Sequence, residues 1–405
     1  MKIVVVLIGA RMHYAVPIIF NRNKVLAYFF TDFYRGNKRW LKRLTKYLPN
    51  ICNWKKANTR VGFGLPNDKI ISFDLFGIQY KLRYNFQKNR SGIYKNYLWA
   101  GSYFNKLVST FLRSKALDFD TIYTFNSASL DLMLEYKGKK RLVLEQCIAP
   151  HAIELKLLTM EAEKNVGWEE IDPKDVYVDR FVQKEIRELE LADVIISPSE
   201  FVSDSIIEIN PKWGKKIKLV PYGVNINSNK FVNKKFEGEI NVLTVGALGL
   251  RKGTPYILEA ARYFNRKINF RLVGSSKEIS SPKLALLKEY TSVIGQVSRE
   301  EVNEHYNWAN VFLLPSVCEG SATVTYEAMQ YGLPLIVTKN TGSLVRDGIE
   351  GFVIETGTSD GLITALENII SNPSLIEEFS KNSFLRCTVA NLDSYESRLM
   401  QALCR

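Results

Sequence analysis

The sequence predicts an α/β protein of two domains, and three observations support this prediction. Its 405 residues are ample for two domains of ordinary size. A hydrophobic content of 46%, with 12% aromatic residues, indicates packed cores. In the C-terminal half, short apolar runs typical of buried strands alternate with segments of helical periodicity. Such an alternation indicates parallel sheets covered by helices.

The N-terminal domain opens with an apolar run, residues 2–9, that ends at Gly9. We interpret this run as a buried first strand rather than a signal peptide. It is short, and Arg11, Met12 and His13 follow it in place of a small-residue cleavage site. No window of the sequence approaches the roughly 18 uninterrupted apolar residues of a membrane-spanning helix.

The domain boundary is predicted near residue 220. There a short apolar run ends in Pro221-Tyr222-Gly223, and a polar stretch follows it. We therefore expect one domain over residues 1–220, a second over residues 221–385, and a terminal helical segment over residues 386–405.

Positive charge is concentrated in the first domain. The whole chain carries +13, but residues 1–120 hold 22 Lys and Arg against 5 Asp and Glu, a net +17. The densest stretch, residues 35–48, places five apolar side chains on one helical face: Trp40, Leu41, Leu44, Tyr47 and Leu48. This pattern fits a helix on an anionic membrane surface, and it equally fits a domain helix packed on a sheet. Because no nucleic-acid-binding motif accompanies the charge, nucleic acid is not an expected partner.

Cysteine usage predicts a reducing, cytoplasmic environment. The five cysteines are odd in number and far apart, so they match neither a disulfide framework nor a zinc site. Only three histidines are present, at positions 13, 151 and 305. No metal site is expected.

The most informative segment runs from residue 311 to residue 334. An apolar strand, 311–314, leads through Pro315-Ser316 into a loop of small residues, and a helix follows that Gly332 and Pro334 close. Glu319 falls in the loop and Glu327 in the helix, with seven residues between them. The helix N-terminus suits an anion, whereas carboxylates accept hydrogen bonds from hydroxyl groups. A nucleotide sugar carries both kinds of group.

A second segment repeats the arrangement of strand, glycine-rich loop and helix. The strand at residues 241–245 is followed by Gly246 and Gly249, then by the cations Arg251 and Lys252, and then by a helical pattern at residues 256–263. Glycines allow a close approach of a ligand to the backbone, and two adjacent cations suit a diphosphate.

With its flanking residues, the pair Glu319 and Glu327 resembles the Glu-x7-Glu motif of the retaining glycosyltransferases of family 4. The resemblance is specific from about residue 220 to residue 370. It implies the GT-B fold, in which two Rossmann-like α/β domains face a central cleft. It further implies that the first domain binds the acceptor, that the second binds a nucleotide sugar, and that the terminal helix packs back on the first domain.

The resemblance also implies roles for individual residues. Glu319, Arg251, Lys252 and His151 are the expected catalytic residues, although which of Glu145, Gln146 and His151 faces the donor sugar stays open. The remaining expected donor-binding residues are Glu327, Gly246, Gly274, Gly295, Val297, Gly320, Ser321, Ala322 and Thr323. Most members of the family have a different sequence at residues 321–323. On the acceptor side the expected residues are Gly9, Arg11, His13 and Glu145.

The resulting functional prediction is a metal-independent, retaining glycosyltransferase without a cofactor. It moves a sugar from a nucleoside-diphosphate sugar to a saccharide or lipid-linked saccharide acceptor, in the synthesis of cell-surface polysaccharide or glycan. We expect it in the cytoplasm, with the inner face of the membrane as a further partner surface. Two alternatives are a GT-B-like scaffold that binds sugar or membrane without turnover, and another GT-B enzyme such as an inverting transferase.

Overall fold

The computed structural model describes residues 1–36, 60, 62, 64–87, 89–115, 117–172, 174–227, 230–235 and 238–404. The predicted basic amphipathic helix lies, from residue 37 onward, outside the described residues. The chain divides into two compact units. The first comprises Met1–Gln146, Pro173–Ile196 and Lys212–Lys218, and the second comprises Cys147–Asp172, Ser197–Pro211 and Leu219–Arg405. Each unit contains one parallel sheet with helices, as predicted.

The first sheet has seven strands in the described part of the chain, in the order β3-β2-β1-β4-β5-β6-β7. In this order, the neighbouring strands from β3 to β6 pair in parallel. The central strands β1 and β4 are buried along their whole length, which explains the uninterrupted apolar run at the N-terminus. The strands are β1 (Ile3–Leu7), β2 (Leu26–Thr31), β3 (Ile70–Ser72), β4 (Thr121–Phe125), β5 (Arg141–Glu145), β6 (Val194–Ser197) and β7 (Ile217–Leu219).

The second sheet has six strands in the described residues, in the order β10-β9-β8-β11-β12-β13. Its neighbouring strands also pair in parallel, so their carboxyl ends meet at one edge. The strands are β8 (Asn241–Val245), β9 (Asn269–Val273), β10 (Ser292–Gly295), β11 (Val311–Leu314), β12 (Leu335–Thr338) and β13 (Gly351–Ile354). β8 and β11 have the predicted bounds. The two loops predicted to bind the donor, which follow these strands, therefore begin at this edge.

Helices connect the strands in both units. They are α1 (Ala15–Arg22), α2 (Asp74–Asn85), α3 (Arg90–Ser114), α4 (Leu130–Tyr136), α5 (His151–Lys164), α6 (Val176–Leu191), α7 (Glu200–Ile209), α8 (Thr254–Phe264), α9 (Ser281–Tyr290), α10 (Arg299–Trp308), α11 (Thr323–Gln330), α12 (Asp360–Ser371), α13 (Ser374–Cys387) and α14 (Leu392–Cys404). Within the described ranges, none of these helices has the length and apolar character needed to cross a membrane.

The two units divide the chain differently from the single boundary predicted at residue 220. Residues 147–172, which carry α5, belong to the second unit. The physical reason is hydrophobic packing, because Leu158 and Trp168 are buried in one cluster with Ile240 and Val242 of the second unit. The order of the elements did not indicate that α5 belongs to the second unit, because α5 directly follows β5 of the first sheet in the sequence. The predicted packing of residues 386–405 on the first domain stays a prediction.

A buried carboxylate of the first unit holds the start of α4. Glu188 of α6 is fully buried, and its Oε1 accepts hydrogen bonds from the backbone N–H groups of Ser129 at 2.7 Å and Leu130 at 2.9 Å. Its Oε2 accepts one from the N–H of Ser127 at 2.6 Å. Burial raises the pKa of Glu188 to about 7, although Lys184 and these N–H donors act in the opposite direction.

This raised pKa predicts a pH-dependent stability. Between pH 4.5 and about 7 the folded chain binds more protons at Glu188 than the unfolded chain, so the free energy of unfolding falls as the pH rises. The contribution is complete below pH 4.5 and lost above pH 7, a change of about 3 kcal/mol. Urea unfolding of wild type and Glu188→Gln should show their stability difference changing by about this amount. Glu190→Gln, an exposed change on the same helix, is the control, and a pH-independent difference for Glu188→Gln would contradict the prediction.

Candidate active site

The loop after β11 brings the predicted catalytic carboxylate onto two cations. Oε1 of Glu319 accepts a hydrogen bond from Nη1 of Arg251, and Nζ of Lys252 lies 2.7 Å from the same oxygen. The two loops are also joined by their backbones, because the N–H of Val317 donates to the carbonyl of Arg251 at 2.9 Å. The structure therefore brings together three of the four predicted catalytic residues, from positions almost 70 residues apart in sequence.

Burial and nearby carboxylates act on the pKa values of the two cations. Lys252 is 6% exposed, and burial lowers its pKa while Glu319 acts to raise it. For Arg251, burial lowers the pKa, but the carboxylates of Glu319 and Glu154 outweigh it and the pKa is raised. Lys252 is thus in a poorly hydrated environment, where electrostatic interactions are stronger than in water, whereas the Arg251 side chain is 31% exposed.

Gly320 is required by close packing rather than by an unusual backbone angle. A Cβ at this position would collide with the carbonyl of Cys147. The carbonyl of Gly320 itself accepts a hydrogen bond of 2.5 Å from the hydroxyl of Ser199. Ser199 also caps α7 by accepting from the N–H of Val202 at 3.3 Å. The loop next to Glu319 is therefore packed against the backbone of Cys147 and hydrogen-bonded to the side chain of Ser199.

The predicted sugar-facing residues that follow are only partly accessible. Ser321 is buried, and its hydroxyl lies 2.6 Å from that of Tyr326. Ala322 is buried too, and its N–H donates to the carbonyl of Thr341 at 3.2 Å. Thr323 begins α11 and is partly exposed. At the start of a helix the first N–H groups lack an intrahelical acceptor, so this end of α11 suits an anion.

Glu327, the second carboxylate of the motif, lies in α11 beside α10. Its Oε2 accepts a hydrogen bond of 3.2 Å from the hydroxyl of Tyr306, and its Oε1 lies 3.6 Å from Nη2 of Arg299. The Glu327 side chain is 30% exposed, whereas Tyr306 is buried. Tyr306 thus orients a carboxylate that remains open to solvent. Sequence reasoning missed Tyr306, since nothing in the local pattern separates it from a core aromatic residue.

The other predicted donor-binding residues line the carboxyl edge of the second sheet. Gly246, Gly274 and Gly295 end or follow β8, β9 and β10. The N–H of Gly274 donates to the carbonyl of Gly295 at 2.9 Å, and the N–H of Gly246 donates to that of Val273 at the same distance. Val297 follows in the half-exposed turn before α10. The structure therefore groups these positions, and their contacts with a nucleotide stay a prediction.

His151 begins α5 and belongs to the second unit, in contrast to Glu145 and Gln146. Its Nδ1 lies 2.9 Å from Oε2 of Glu154. α5 packs against the turn that carries Arg251, and the negative charge of Glu154 acts on Arg251. All four predicted catalytic residues are thus grouped in one unit. Glu154 was missed from the sequence, although its spacing of three residues from His151 in a helix was a usable signal.

The predicted acceptor residues Gly9, Arg11, His13 and Glu145 lie in the first unit. Arg11 and His13 are exposed in a turn where Met12, His13 and Tyr14 all have left-handed backbone angles, with φ of 46°, 52° and 66°. Glu145, by contrast, is fully buried, and one of its oxygens accepts a hydrogen bond of 2.5 Å from the hydroxyl of Tyr123. Its side chain is part of the interior of the first unit.

Asp32, at the carboxyl end of β2 in the first sheet, is a polar residue that sequence reasoning missed. It follows β2 directly and is 2% exposed. Its Oδ1 accepts a hydrogen bond of 2.8 Å from the N–H of Gly9, and its Oδ2 lies 2.7 Å from Nη1 of Arg60. An acidic residue directly after a buried strand was the available signal. Asp32 fixes the Gly9 turn through the backbone.

Across the residues that the structure describes, no group of three or more His, Cys, Asp or Glu side chains is placed to hold a metal ion. Metal independence stays a prediction. The cations of Arg251 and Lys252 are the groups of this site that can neutralise a diphosphate without a metal.

Part of the chain is similar to known glycosyltransferases. Residues 225–386 match the family model of the group 1 glycosyl transferases. An uncharacterized glycosyltransferase of Haemophilus influenzae is 29% identical over 43% of this chain and 52% of its own. The UDP-Gal:alpha-D-GlcNAc-diphosphoundecaprenol alpha-1,3-galactosyltransferase of Escherichia coli is 30% identical over 41% of this chain and 48% of its own. The chain thus spans about half the length of these curated relatives.

Structural similarity extends over the whole chain. The sucrose-phosphate synthase of Thermosynechococcus elongatus superposes with a TM-score of 0.68 at 18% identity, over 99% of this chain and 98% of its own. At this identity the likeness shows the fold alone. The predicted class is confirmed: the chain has two Rossmann-like α/β domains of the GT-B fold, and its residues 225–386 match the group 1 glycosyl transferases.

Proposed function

We propose that this protein is a retaining glycosyltransferase that uses a nucleoside-diphosphate sugar. The observation that carries the proposal is the meeting of Arg251 and Lys252 on one oxygen of Glu319, beside the N-terminus of α11. Cations and helix N–H groups bind the diphosphate, and a carboxylate next to them binds sugar hydroxyls.

The contacts within the site suggest how the donor is divided among its residues. Both cations engage Oε1 of Glu319, so its Oε2 is the oxygen proposed to accept a hydrogen bond from a sugar hydroxyl. Glu327, oriented by Tyr306 and partly exposed, accepts from the ribose hydroxyls. The glycines at the ends of β8, β9 and β10 allow the nucleotide to approach the backbone closely.

In the proposed reaction, the bond between C1 of the sugar and the diphosphate oxygen breaks as the acceptor hydroxyl oxygen bonds to C1. The acceptor attacks from the face that the diphosphate leaves, and its proton passes to a leaving phosphate oxygen. Arg251, Lys252 and the N-terminus of α11 stabilise the negative charge that develops on the diphosphate. The products are the extended acceptor and a nucleoside diphosphate, with the anomeric configuration retained.

The acceptor proposed is a saccharide, either free or lipid-linked, in the synthesis of a cell-surface polysaccharide. The name of the Escherichia coli relative states a diphosphoundecaprenol-linked sugar as acceptor. Residues 1–120 contain 22 Lys and Arg but only 5 Asp and Glu, and this positive charge suits an anionic lipid surface. Cytoplasmic location at the inner face of the membrane remains a prediction on the same grounds.

A ligand-binding experiment tests the donor class. Melting temperatures are measured with UDP, GDP, ADP and dTDP, each with and without EDTA. A ligand at a hundredfold excess over its Kd adds about 2.7 kcal/mol of apparent stability, so one diphosphate should raise the melting temperature clearly, with or without EDTA. Arg251→Ala should abolish this increase, whereas Lys267→Ala, an exposed cation after α8, should keep it.

Turnover and stereochemistry are tested on the same protein. UDP-galactose is the first donor to use, because the Escherichia coli relative is named for it. NMR of the product distinguishes a retained from an inverted anomeric configuration. Binding of a diphosphate without transfer or donor hydrolysis would favour the non-enzymatic scaffold, and an inverted product would favour an inverting transferase.

A further inference from the structure

The first turn of α5 carries a pair of side chains that local sequence reasoning did not connect. His151 and Glu154 lie three residues apart, and this spacing places them on one face of the helix. The distance from Nδ1 of His151 to Oε2 of Glu154 is 2.9 Å, a normal hydrogen bond. His151 is 5% exposed and the Glu154 side chain 17%. This pair is therefore mostly shielded from solvent, unlike a surface ion pair.

The pair is built into the wall of the candidate active site. α5 packs against the turn of Leu250–Lys252, which carries the two cations. The backbone just before α5 approaches the Glu319 loop so closely that only a glycine fits at position 320, opposite Cys147. The carboxylate of Glu154 also contributes to the raised pKa of Arg251. Glu154 is thus near both His151, one of three candidates to face the donor sugar, and a predicted phosphate-binding cation.

The hydrogen bond has a chemical consequence for the histidine. In a neutral imidazole one nitrogen carries the proton and the other is an acceptor, and the partner of one nitrogen determines which is which. A carboxylate accepts but does not donate, so Glu154 favours the proton on Nδ1. The acceptor is then Nε2, which suits a hydrogen bond from a hydroxyl group.

We propose that Glu154 is a positioning residue that holds His151 as the Nδ1–H tautomer, so that Nε2 accepts a hydrogen bond from a hydroxyl of the donor sugar. This inference rests on the proposed function for the identity of the ligand. In this proposal, different residues recognise the two parts of the donor. Glu154 acts on the sugar through His151, whereas Arg251 and Lys252 act on the diphosphate. Loss of Glu154 should weaken recognition of the nucleotide sugar but not of the nucleoside diphosphate alone.

The tautomer can be measured directly. The chain has only three histidines, so two-bond 1H–15N spectra of protein labelled with 15N-histidine contain few signals, and the signal missing in His151→Gln identifies His151. At pH 8, wild type should show the Nδ1–H tautomer. Glu154→Leu should shift His151 toward the Nε2–H tautomer, whereas Glu154→Gln keeps an acceptor oxygen and should retain Nδ1–H. An unchanged tautomer in Glu154→Leu overturns the proposal.

Kinetics supply the second readout. Glu154→Leu should raise KM for the nucleotide sugar about tenfold while the Kd of the nucleoside diphosphate stays within twofold of wild type. The KM of Glu154→Gln should fall between those of wild type and Glu154→Leu. Glu163→Leu, an exposed change on the same helix, should have the KM of wild type. An equal loss of affinity for donor and diphosphate would indicate a purely structural role and overturn the proposal. If wild type turns over no donor but the tautomer changes as described, the positioning role holds and the proposed function fails.

Discussion

Replacing Lys252 with methionine is expected to lower kcat/KM for sugar transfer by about two to three orders of magnitude. Lys252 is buried, and its ammonium group lies 2.7 Å from Oε1 of Glu319. Methionine has a similar length and fills the same space without the charge. The departing diphosphate then loses one of the cations that stabilise its developing charge, and a single such group contributes about 10²- to 10³-fold to turnover.

The loss at Lys252 should appear in both binding and chemistry. The affinity for the nucleoside diphosphate falls, and kcat falls further, because the negative charge on the diphosphate grows as the bond to the sugar breaks. Lys267→Met, the same change at an exposed lysine after α8, is the matched control. The prediction is wrong if Lys252→Met keeps kcat/KM within twofold of wild type while the protein remains folded.

Replacing Gly274 with alanine is expected to destabilise the second unit by about 3–5 kcal/mol. Gly274 has φ of 153°, and a Cβ there would collide with the carbonyl of Gly246. Both partners are held in place, because Gly274 donates to the carbonyl of Gly295 and Gly246 donates to that of Val273. The neighbours are backbone atoms at the edge of a buried sheet, so they cannot move away at low cost.

Gly238 provides the control that separates the collision from the backbone angle. It has φ of 96°, and no atom of the described residues lies within 4 Å of a Cβ built on it. Gly238→Ala should therefore cost about 1 kcal/mol, the ordinary strain of a left-handed non-glycine residue. Urea unfolding of both variants checks the difference, and diphosphate binding should be lost only in Gly274→Ala. Equal destabilisation of the two variants would show that the close contact does not matter.

Much of the fold was predictable because its signals are local. β8 and β11 were predicted with their observed bounds, since buried parallel strands appear as short apolar runs between turn residues. The end of the helix that carries Glu327 was marked by Gly332, whose φ of 65° shows the left-handed turn expected there. The division of the chain was not predictable in the same way. α5 follows a strand of the first sheet but packs in the core of the second unit through Leu158, and Trp168, which follows the helix, is buried in the same cluster.

The sequence by itself predicted Glu319, Glu327, Arg251 and Lys252 as site residues, because each lies in a short segment whose pattern of strand, loop and helix carries the prediction. Only the tertiary structure decided how these side chains meet. Arg251 and Glu319 share a hydrogen bond across 68 residues of sequence, and Tyr306 reaches Glu327 from a different helix. It likewise showed that Glu145 is buried in the first unit and that Glu154 joins His151 in the second. The physical reason is that strand and helix patterns depend on neighbouring residues, whereas these contacts depend on how separate elements pack.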